Sequence, residues 1–405
     1  MTRLLLLAVL AACGFASNAL AAGILTPADA GPFRGIGCSG TTCLLTTNSV
    51  SKGGGAVVAL NDGAAGAAQP VTDAIDLFGA DCASASTCFA VGTNGAEGVL
   101  VPVINGSAQP LIIVGTVTSL QAIGCASATR CFAGGQSKED GSDDPVGAIV
   151  PVSDTQPGVA QVVPDTSSIV DMSCPSASSC TAVGEAPSGA PNGIVQINSG
   201  SVGAFKPLPE TANGAAGIDA IACAAVERCV GVTADAALTL IDGKPGDWTK
   251  ISDTSVGDIA CPTTSTCIGV ADGDFPTMIP IAGDGRSSAP RNVPGMAGTS
   301  AIDCDSSTHC YAVGTNGNGG GGGIAPIAVP DLTFPAPLKF PDGCVVPRVV
   351  GLSVPAAKKK LAKANCRAGK IRFVVSKRFR KRVIQQRPSK GRLRRNAKVG
   401  LTVGR

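Results

Sequence analysis

Aromatic residues and histidine are scarce in this chain. Its 405 residues include one Trp, one Tyr, 11 Phe and a single histidine, His309. An imidazole that acts as general acid or base needs a partner and a pocket, but His309 lies in a polar segment that we expect to be a solvated turn. Aromatic side chains supply much of the contact area at binding sites, so their scarcity disfavours a sugar-binding cleft. We predict no catalytic residue.

Long apolar runs are missing after the N-terminal region. A membrane-spanning helix needs about 18 or more mostly apolar residues, so we predict no transmembrane helix. Residues 1–3 carry a positive charge, residues 4–12 are apolar and residues 19–21 are small. This order is typical of a bacterial signal peptide, which we place at residues 1–22. A competing interpretation is a lipobox at Cys13, so a secreted protein and an envelope lipoprotein both remain open.

Acidic residues are absent from the C-terminal part of the chain. Residues 344–405 contain 20 Lys and Arg but no Asp or Glu. The preceding 343 residues hold the other 12 basic residues and all 29 acidic ones, a net charge of −17. Such a segregation of charge predicts two domains with different partners.

Cysteine is abundant and regularly spaced. Fourteen of the 17 cysteines form seven pairs with four or five intervening residues, at intervals of 38 to 49 residues. An even number of cysteines in the mature chain is typical of disulfides formed in an oxidising compartment. Zinc sites favour shorter spacings and often use histidine, so we predict neither a metal site nor a cofactor. The predicted pairs are Cys38/Cys43, Cys82/Cys88, Cys125/Cys131, Cys174/Cys180, Cys223/Cys229, Cys261/Cys267 and Cys304/Cys310, with Cys344/Cys366 as an eighth.

Each cysteine pair belongs to a repeat of short alternating strands. Apolar alternation precedes the first cysteine, and an apolar run ending in glycine follows the second, as in residues 89–92 and 181–184. Four strands in roughly 40–45 residues match a β-propeller blade, and seven repeats fall within the usual range of about 4–8 blades. The predicted fold class is therefore all-β, with a seven-bladed β-propeller over residues 23–337. A β-sandwich array or another all-β repeat is the alternative.

The repeat has a recognisable form. The segment 174–184, Cys-Pro-Ser-Ala-Ser-Ser-Cys-Thr-Ala-Val-Gly, resembles a repeat of secreted actinobacterial proteins that are predicted to form sialidase-like or photosystem-assembly-factor-like propellers. The resemblance implies the propeller fold and names no activity. Residues 246–249, Gly-Asp-Trp-Thr, retain only part of the turn that such blades often carry. The sialidase-type aspartate box is therefore essentially lost.

Beyond a linker predicted at residues 338–343, residues 344–405 have a different pattern. Ser353 can cap a helix from about Val354 to Asn365, and residues 373–375, 383–384 and 399–403 are strand candidates. The segment is similar to a PASTA domain, the small α+β module of penicillin-binding proteins and bacterial receptor Ser/Thr kinases. Cys366 and Asn396 replace family glycines. The matching residues are Val346, Pro347, Val349, Val350, Gly351, Ala357, Leu361, Val383, Ile384, Gln386, Pro388, Gly391, Val399, Leu401 and Val403.

The PASTA resemblance implies recognition of peptidoglycan. The dense positive charge independently predicts attraction to anionic wall polymers, which salt should weaken. The predicted function is thus a secreted, non-catalytic and monomeric envelope-binding protein, in which the propeller is an interaction scaffold and the basic domain contacts the wall. Eight basic residues are the candidate contacts: Lys377, Arg378, Arg380, Lys381, Arg382, Arg392, Arg394 and Arg395.

Other functions remain open. An envelope glycan hydrolase or lyase on the propeller would need two placed carboxylates, and a purely structural spacer would need no ligand. Nucleic acid is not a predicted partner, because the chain has few aromatic residues for base stacking. Asp140, Asp143 and Asp144 cluster in one segment and could bind calcium weakly.

Overall fold

The chain folds into two compact units, Met1–Pro335 and Ala336–Arg405. The computed structural model describes residues 23–138, 144–187, 190–210, 217–253, 255–272, 275–317, 320–334, 344–364, 366–375, 380–388, 392–393 and 398–404; of residues 331, 344, 345, 392 and 393 it describes the backbone only. The predicted signal peptide, Cys13, the predicted linker, Asp140 and Asp143 lie outside the described residues. No helix in the described ranges is both long and apolar enough to cross a membrane.

Seven antiparallel sheets follow one another in the first unit. The first contains β1 (Gly35–Ser39), β2 (Thr42–Asn48), β3 (Gly55–Asn61), β4 (Ala64–Ala65) and β5 (Gln69–Pro70). The second contains β6 (Asp76–Ser84), β7 (Thr87–Thr93), β8 (Gly98–Ile104), β9 (Ser107–Ala108) and β10 (Ile112–Val114). The third contains β11 (Ser119–Ser127), β12 (Arg130–Lys138), β13 (Pro145–Ser153), β14 (Gln156–Pro157) and β15 (Gln161–Val163).

The remaining four sheets repeat the same order of strands. The fourth contains β16 (Ser168–Ser176), β17 (Ser179–Glu185), β18 (Gly193–Asn198), β19 (Ser201–Val202) and β20 (Lys206–Pro207). The fifth contains β21 (Ala220–Ala225), β22 (Arg228–Thr233), β23 (Ala236–Ile241) and β24 (Lys244–Lys250), and the sixth β25 (Val256–Thr263), β26 (Thr266–Ala271), β27 (Thr277–Ala282) and β28 (Arg291–Asn292). The seventh contains β29 (Met296–Cys304), β30 (His309–Asn316) and β31 (Gly322–Ala328), followed by a 3-10 turn at Val329–Asp331.

Each sheet begins with a hairpin that a disulfide closes. In the first sheet, for example, Cys38 lies directly opposite Cys43 in the register of β1 and β2. A loop of this length is short, so the chain-entropy model gives each bridge only about 2–2.5 kcal/mol. All seven predicted repeat bridges are present, with Cα–Cα distances of 3.8 to 4.0 Å: Cys38–Cys43, Cys82–Cys88, Cys125–Cys131, Cys174–Cys180, Cys223–Cys229, Cys261–Cys267 and Cys304–Cys310. The bridges therefore fix hairpins within repeats and link no two repeats together.

The sheets form a closed ring. The first strand of each sheet contacts the first strand of the next, and β29 contacts β1. The N-terminal end of the described chain completes the seventh sheet, because Leu25 and Ile324 exchange two backbone hydrogen bonds of 2.9 Å. This contact is a single β-bridge, and a ring of sheets closed in this way leaves only short edges exposed. The predicted all-β propeller fold is confirmed.

The core lies between successive sheets. Phe89, Leu100 and Leu120, from the second and third sheets, are fully buried in one cluster. Close packing near the centre requires glycine: a Cβ on Gly37 would lie 2.3 Å from the carbonyl oxygen of Ala80 in the next sheet. The chain has many small residues and few aromatic ones. The small residues allow the inner strands to approach one another.

The second unit is a small α+β fold. It contains β32 (Cys344–Val345), α1 (Val354–Lys363), β33 (Arg367–Val374), β34 (Val383–Arg387), β35 (Arg392–Leu393) and β36 (Lys398–Gly404). The three-stranded sheet has the order β33-β36-β34, with β33 parallel and β34 antiparallel to β36. Val399, Leu401 and Val403 of β36 pack with Ala357 and Leu361 of the helix. The helix begins after Ser353, as predicted, but the Ser353 hydroxyl makes no capping hydrogen bond, and the helix ends at Lys363, before the predicted Asn365.

Candidate functional site

A narrow channel runs through the centre of the propeller. Two cavities of about 460 and 190 Å³ occupy it, and they share residues of the inner strands such as Ala80, Asp171 and Asp258. The inner strands of all seven sheets converge on this channel. Polar side chains from several repeats therefore meet in this channel.

The two cysteines of a repeat pair occupy different environments. The first cysteine lines the larger cavity in six of the seven pairs. The second cysteines line neither cavity, and each is buried in the interior of its sheet: Cys43, Cys88, Cys131, Cys180, Cys229, Cys267 and Cys310. Every sulfur of the fourteen is consumed in a disulfide, so the cysteines named as site residues from the sequence form structural bridges and no reactive or metal-binding site.

Four of the aspartates that line this channel each join two sheets. One oxygen of each carboxylate accepts the backbone N–H of the following residue, at 2.7 to 2.8 Å. The other oxygen accepts a backbone N–H from another sheet at 2.6 to 2.8 Å. The donor–acceptor pairs between sheets are Cys125 N–H to Asp81, Ile221 N–H to Asp171, Ile302 N–H to Asp258 and Cys38 N–H to Asp303.

These carboxylates are half-buried in the channel wall and hard to ionise. Loss of hydration raises the pKa of Asp81 to about 7, with a further contribution from the charge of Asp303. Burial likewise raises the pKa values of Asp171 and Asp303 to about 6. Burial, together with the charge of Asp171, raises the pKa of Asp258 well above its usual value. Both oxygens of each aspartate are occupied by backbone donors, so the four residues connect sheets. They do not form a reactive pair.

Metal binding finds no support in the described part of the chain. No group of three or more His, Cys, Asp or Glu side chains there is arranged to hold a metal ion. Asp144 is the one described member of the predicted calcium cluster. It directly precedes β13, and it interacts with another group of the protein.

His309 is not the solvated turn residue that the sequence predicted. It is the first residue of β30, its Nδ1 lies 3.0 Å from Oδ2 of Asp305, and its side chain is 33% exposed. Its ring meets Tyr311 edge-on at 4.6 Å. Burial and the negative charge of Asp305 raise the pKa of Tyr311 to about 12. The prediction was wrong because the hairpin loop brings residues four positions apart together, which the local sequence does not show.

The second unit presents a cationic cleft on the face of its sheet that is opposite the helix. Because side chains alternate along a strand, burial of Val399, Leu401 and Val403 places Gly400 and Thr402 on the other face. Arg372 and Gln385 both pair with Thr402, which gives a row across three strands that we name the threonine row. Arg387 pairs with Gly400, and Lys370 flanks Gly400 on the other side, which gives a parallel glycine row.

These two rows line one cavity of about 400 Å³, which we name the sheet-face cleft. The side chains of Lys370, Arg372, Gln385 and Arg387 are exposed, and that of Thr402 is half-buried. Residues 344–405 contain no acidic side chain that could neutralise the cations. No acidic side chain of residues 344–405 therefore offsets the positive potential of the cleft, which favours an anionic ligand.

A buried glutamine supports the strand that carries this cleft. The Oε1 atom of Gln386 accepts a hydrogen bond from the backbone N–H of Val349 at 2.6 Å, and its Nε2 atom donates to the carbonyl oxygen of Pro347 at 3.0 Å. Gln386 is one of the residues on which the PASTA resemblance depends. Its burial between β34 and the segment before the helix holds Gln385 and Arg387 on the opposite, open face.

The eight predicted wall-binding residues are only partly described. Arg380, Lys381 and Arg382 are exposed in the segment before β34, and Arg382 donates to the carbonyl oxygen of Gly351 at 2.9 Å. The backbone of Arg392 lies in β35. The other four, Lys377, Arg378, Arg394 and Arg395, lie outside the described residues.

The cations of the sheet-face cleft were not among the predicted residues. The prediction selected the densest charge runs, whereas Lys370, Arg372 and Arg387 stand apart in the sequence. The sequence does place Lys370 and Arg372 two positions apart in one strand. This spacing could have indicated that they lie on the same face of the sheet, because residues two apart share a face. Arg387 could be joined to them only by the strand register.

Cys366 is disulfide-bonded and buried under the small sheet. Its predicted partner Cys344 belongs to β32, whose side chains lie outside the described part.

Comparison with known proteins supports the fold alone. No family model matches the chain, and no curated protein matches it in sequence. The solved structure titled "Structure of U3-55K" is similar with a TM-score of 0.57 and 7% identity, covering 75% of this chain and 98% of that chain. The structure of YCF48 from Cyanidioschyzon merolae is similar with a TM-score of 0.50 and 12% identity, covering 74% of this chain and 97% of that chain. Both neighbours are β-propellers.

Proposed function

We propose that this β-propeller protein is a secreted, non-catalytic scaffold that is held at the bacterial cell envelope by its basic C-terminal unit. The unit binds anionic wall material, and the propeller presents its loops to other partners. The observation that carries the proposal is the sheet-face cleft, where Lys370, Arg372 and Arg387 converge in a unit whose residues 344–405 include no acidic side chain.

Electrostatics supports an anionic ligand. Three cations around one cavity repel each other, and a negative charge bound between them offsets that repulsion. Arginine also offers a planar set of donors that matches carboxylate and phosphate oxygens. Wall polymers of the bacterial envelope carry both groups, and the similarity of residues 344–405 to PASTA domains adds peptidoglycan as a partner class.

Properties of the propeller support the scaffold role. Seven disulfides are typical of an oxidising extracellular environment. The four channel carboxylates that join sheets are engaged by backbone donors, which leaves them a structural role. A rigid ring with short edges and many loops suits protein or polymer contacts.

Sedimentation with isolated bacterial cell walls tests the proposal. The full-length protein should pellet with the walls, and a truncated chain ending at Pro335 should stay in the supernatant. Raising the salt from about 0.1 M to about 1 M shortens the Debye length from roughly 10 Å to roughly 3 Å and should release the full-length protein. Equal pelleting of both chains would contradict the proposal.

A further inference from the structure

We infer that the sheet-face cleft binds a linear polyanion whose negative charges repeat about every 7 Å along its backbone, of the phosphodiester-linked polyol class. The inference rests on the proposed function and specifies its ligand. It follows from three features of the cleft: the two rows, the gap at Gly400 and the spacing between the rows.

The two rows provide two separate anion positions. In the threonine row, Arg372 and Gln385 flank Thr402, so a guanidinium, a hydroxyl and an amide group stand side by side across the sheet. In the glycine row, Lys370 and Arg387 stand on either side of Gly400. Each position combines at least one cation with further hydrogen-bond donors or a second cation, as oxyanion binding requires.

Gly400 opens a groove between Lys370 and Arg387. A Cβ atom there would lie 3.6 Å from the carbonyl oxygen of Arg387 and 3.8 Å from that of Lys370, which are ordinary contact distances. The backbone therefore does not require glycine at this position, and a side chain would fit. Adjacent strands are about 4.8 Å apart, so the two cation-bearing strands are separated by roughly 10 Å, and in the glycine row no side chain of β36 lies between Lys370 and Arg387. This space accommodates one anionic group on the sheet.

The rows lie two residues apart along β36, at Gly400 and Thr402. A strand rises about 3.3 Å per residue, so the anion positions are separated by about 7 Å along the strands. A polymer that carries its charge in the backbone can lie in the groove and place successive charges over successive rows. A three-carbon polyol joined by phosphodiesters has about this repeat, and each of its phosphates offers two charged oxygens to arginine.

Binding measurements on the full-length protein test the inference, with oligo(glycerol phosphate) as the probe and with inorganic phosphate and poly-glutamate as comparison ligands. Calorimetric titration should show tighter binding of oligo(glycerol phosphate) than of either comparison ligand, and affinity should rise when the oligomer grows from one phosphate to two. The gain from the second phosphate should be about tenfold or more, because it adds a second charge-assisted set of contacts.

Three single substitutions separate the cleft from the general charge of the unit. Lys370→Gln removes a cleft cation, and Lys358→Gln removes an exposed cation from the helix as a matched control. Gly400→Val changes no charge but fills the groove. Lys370→Gln and Gly400→Val should each weaken binding about tenfold, whereas Lys358→Gln should change it less than about twofold.

Each outcome bears on a different part of the inference. Equal losses for Lys370→Gln and Lys358→Gln, or unchanged binding by Gly400→Val, would overturn the cleft assignment. If Gly400→Val does not fold, as judged by its unfolding transition, the comparison of Lys370→Gln with Lys358→Gln tests the cleft assignment by itself. If the wild-type protein sediments with walls but prefers poly-glutamate to oligo(glycerol phosphate), the ligand class is wrong while the proposed function stands. If it does not sediment with walls at all, the proposed function itself fails.

Discussion

The substitution Asp303→Asn tests how the propeller ring is closed. Asp303 belongs to the last sheet, and its two carboxylate oxygens accept the N–H groups of Cys304 and of Cys38 in the first sheet, each at 2.8 Å. An asparagine has only one accepting oxygen, so one of these N–H groups loses its partner and faces an amide NH₂ group. A buried donor left without an acceptor costs about 1–3 kcal/mol. The free energy of unfolding should fall by that amount at pH 5, where Asp303 is mostly protonated in the folded protein.

The same substitution should matter less at high pH. Burial raises the pKa of Asp303 in the folded protein to about 6, from 3.8 in the unfolded chain. The folded state therefore holds more protons than the unfolded state between these values, and its stability decreases as pH rises. This difference between the two pKa values corresponds to about 3 kcal/mol of additional stability of the folded state. That stability is present below pH 3.8 and is lost as the pH rises past 6. Between pH 5 and pH 8 the wild type loses roughly 1–2 kcal/mol of this contribution, which Asp303→Asn does not have.

The assay is denaturant unfolding under non-reducing conditions at pH 5 and pH 8. Trp248, the only tryptophan, lies in the fifth sheet and reports on the propeller through its fluorescence. The exposed Asp73→Asn serves as control and should change the free energy of unfolding by less than about 0.5 kcal/mol at either pH. A deficit of Asp303→Asn that is the same at both pH values would refute the reasoning.

Three further predictions concern the disulfides, the buried glutamine and the wall contact. Replacing Cys304 and Cys310 together by serine should lower the free energy of unfolding by about 2 kcal/mol, and non-reducing peptide mass mapping should find every remaining repeat bridge within its own hairpin; a bridge between repeats would contradict the fold. Gln386→Leu should destabilise the small unit by about 2–4 kcal/mol, because Val349 N–H and the Pro347 carbonyl lose their partner. Hydrogen exchange of residues 344–404 should then accelerate while that of the propeller does not, and uniform acceleration would argue against two units. Wall sedimentation should depend on salt but not on pH between 5 and 8, since arginine and lysine stay charged in this range; a pH-dependent loss would point to the channel aspartates instead.

Much of the fold could be predicted because the cysteines report on local structure. A disulfide between residues five or six positions apart fits a hairpin, and the recurrence of that hairpin indicates a repeat of strands. Apolar strand positions next to the cysteine pairs are buried, as Phe89 and Phe132 illustrate. The start of the helix at Val354 was predicted from Ser353 alone, because the residue type that precedes a helix is a local property.

The contacts between sheets could not be predicted in the same way. Asp303 and Cys38 are separated by 265 positions, and nothing near either residue indicates that they meet. The same holds for Asp81, Asp171 and Asp258, which no local pattern distinguishes from the other aspartates of the chain. His309 was misassigned for a related reason, because its bond to Asp305 depends on the shape of the hairpin loop.

Short segments and composition were enough to predict the repeat, its local bridges and the opposite charge of the two units. Cysteine spacing, strand alternation and the absence of acidic residues after position 343 do not depend on how distant parts of the chain meet. Which side chains share a site does depend on how distant parts of the chain meet. Lys370 and Arg387 flank the same glycine because strand register brings β33 and β34 to either side of β36. Register is fixed by the burial of the opposite sheet face against the helix, so the cleft is a consequence of packing that no local pattern contains.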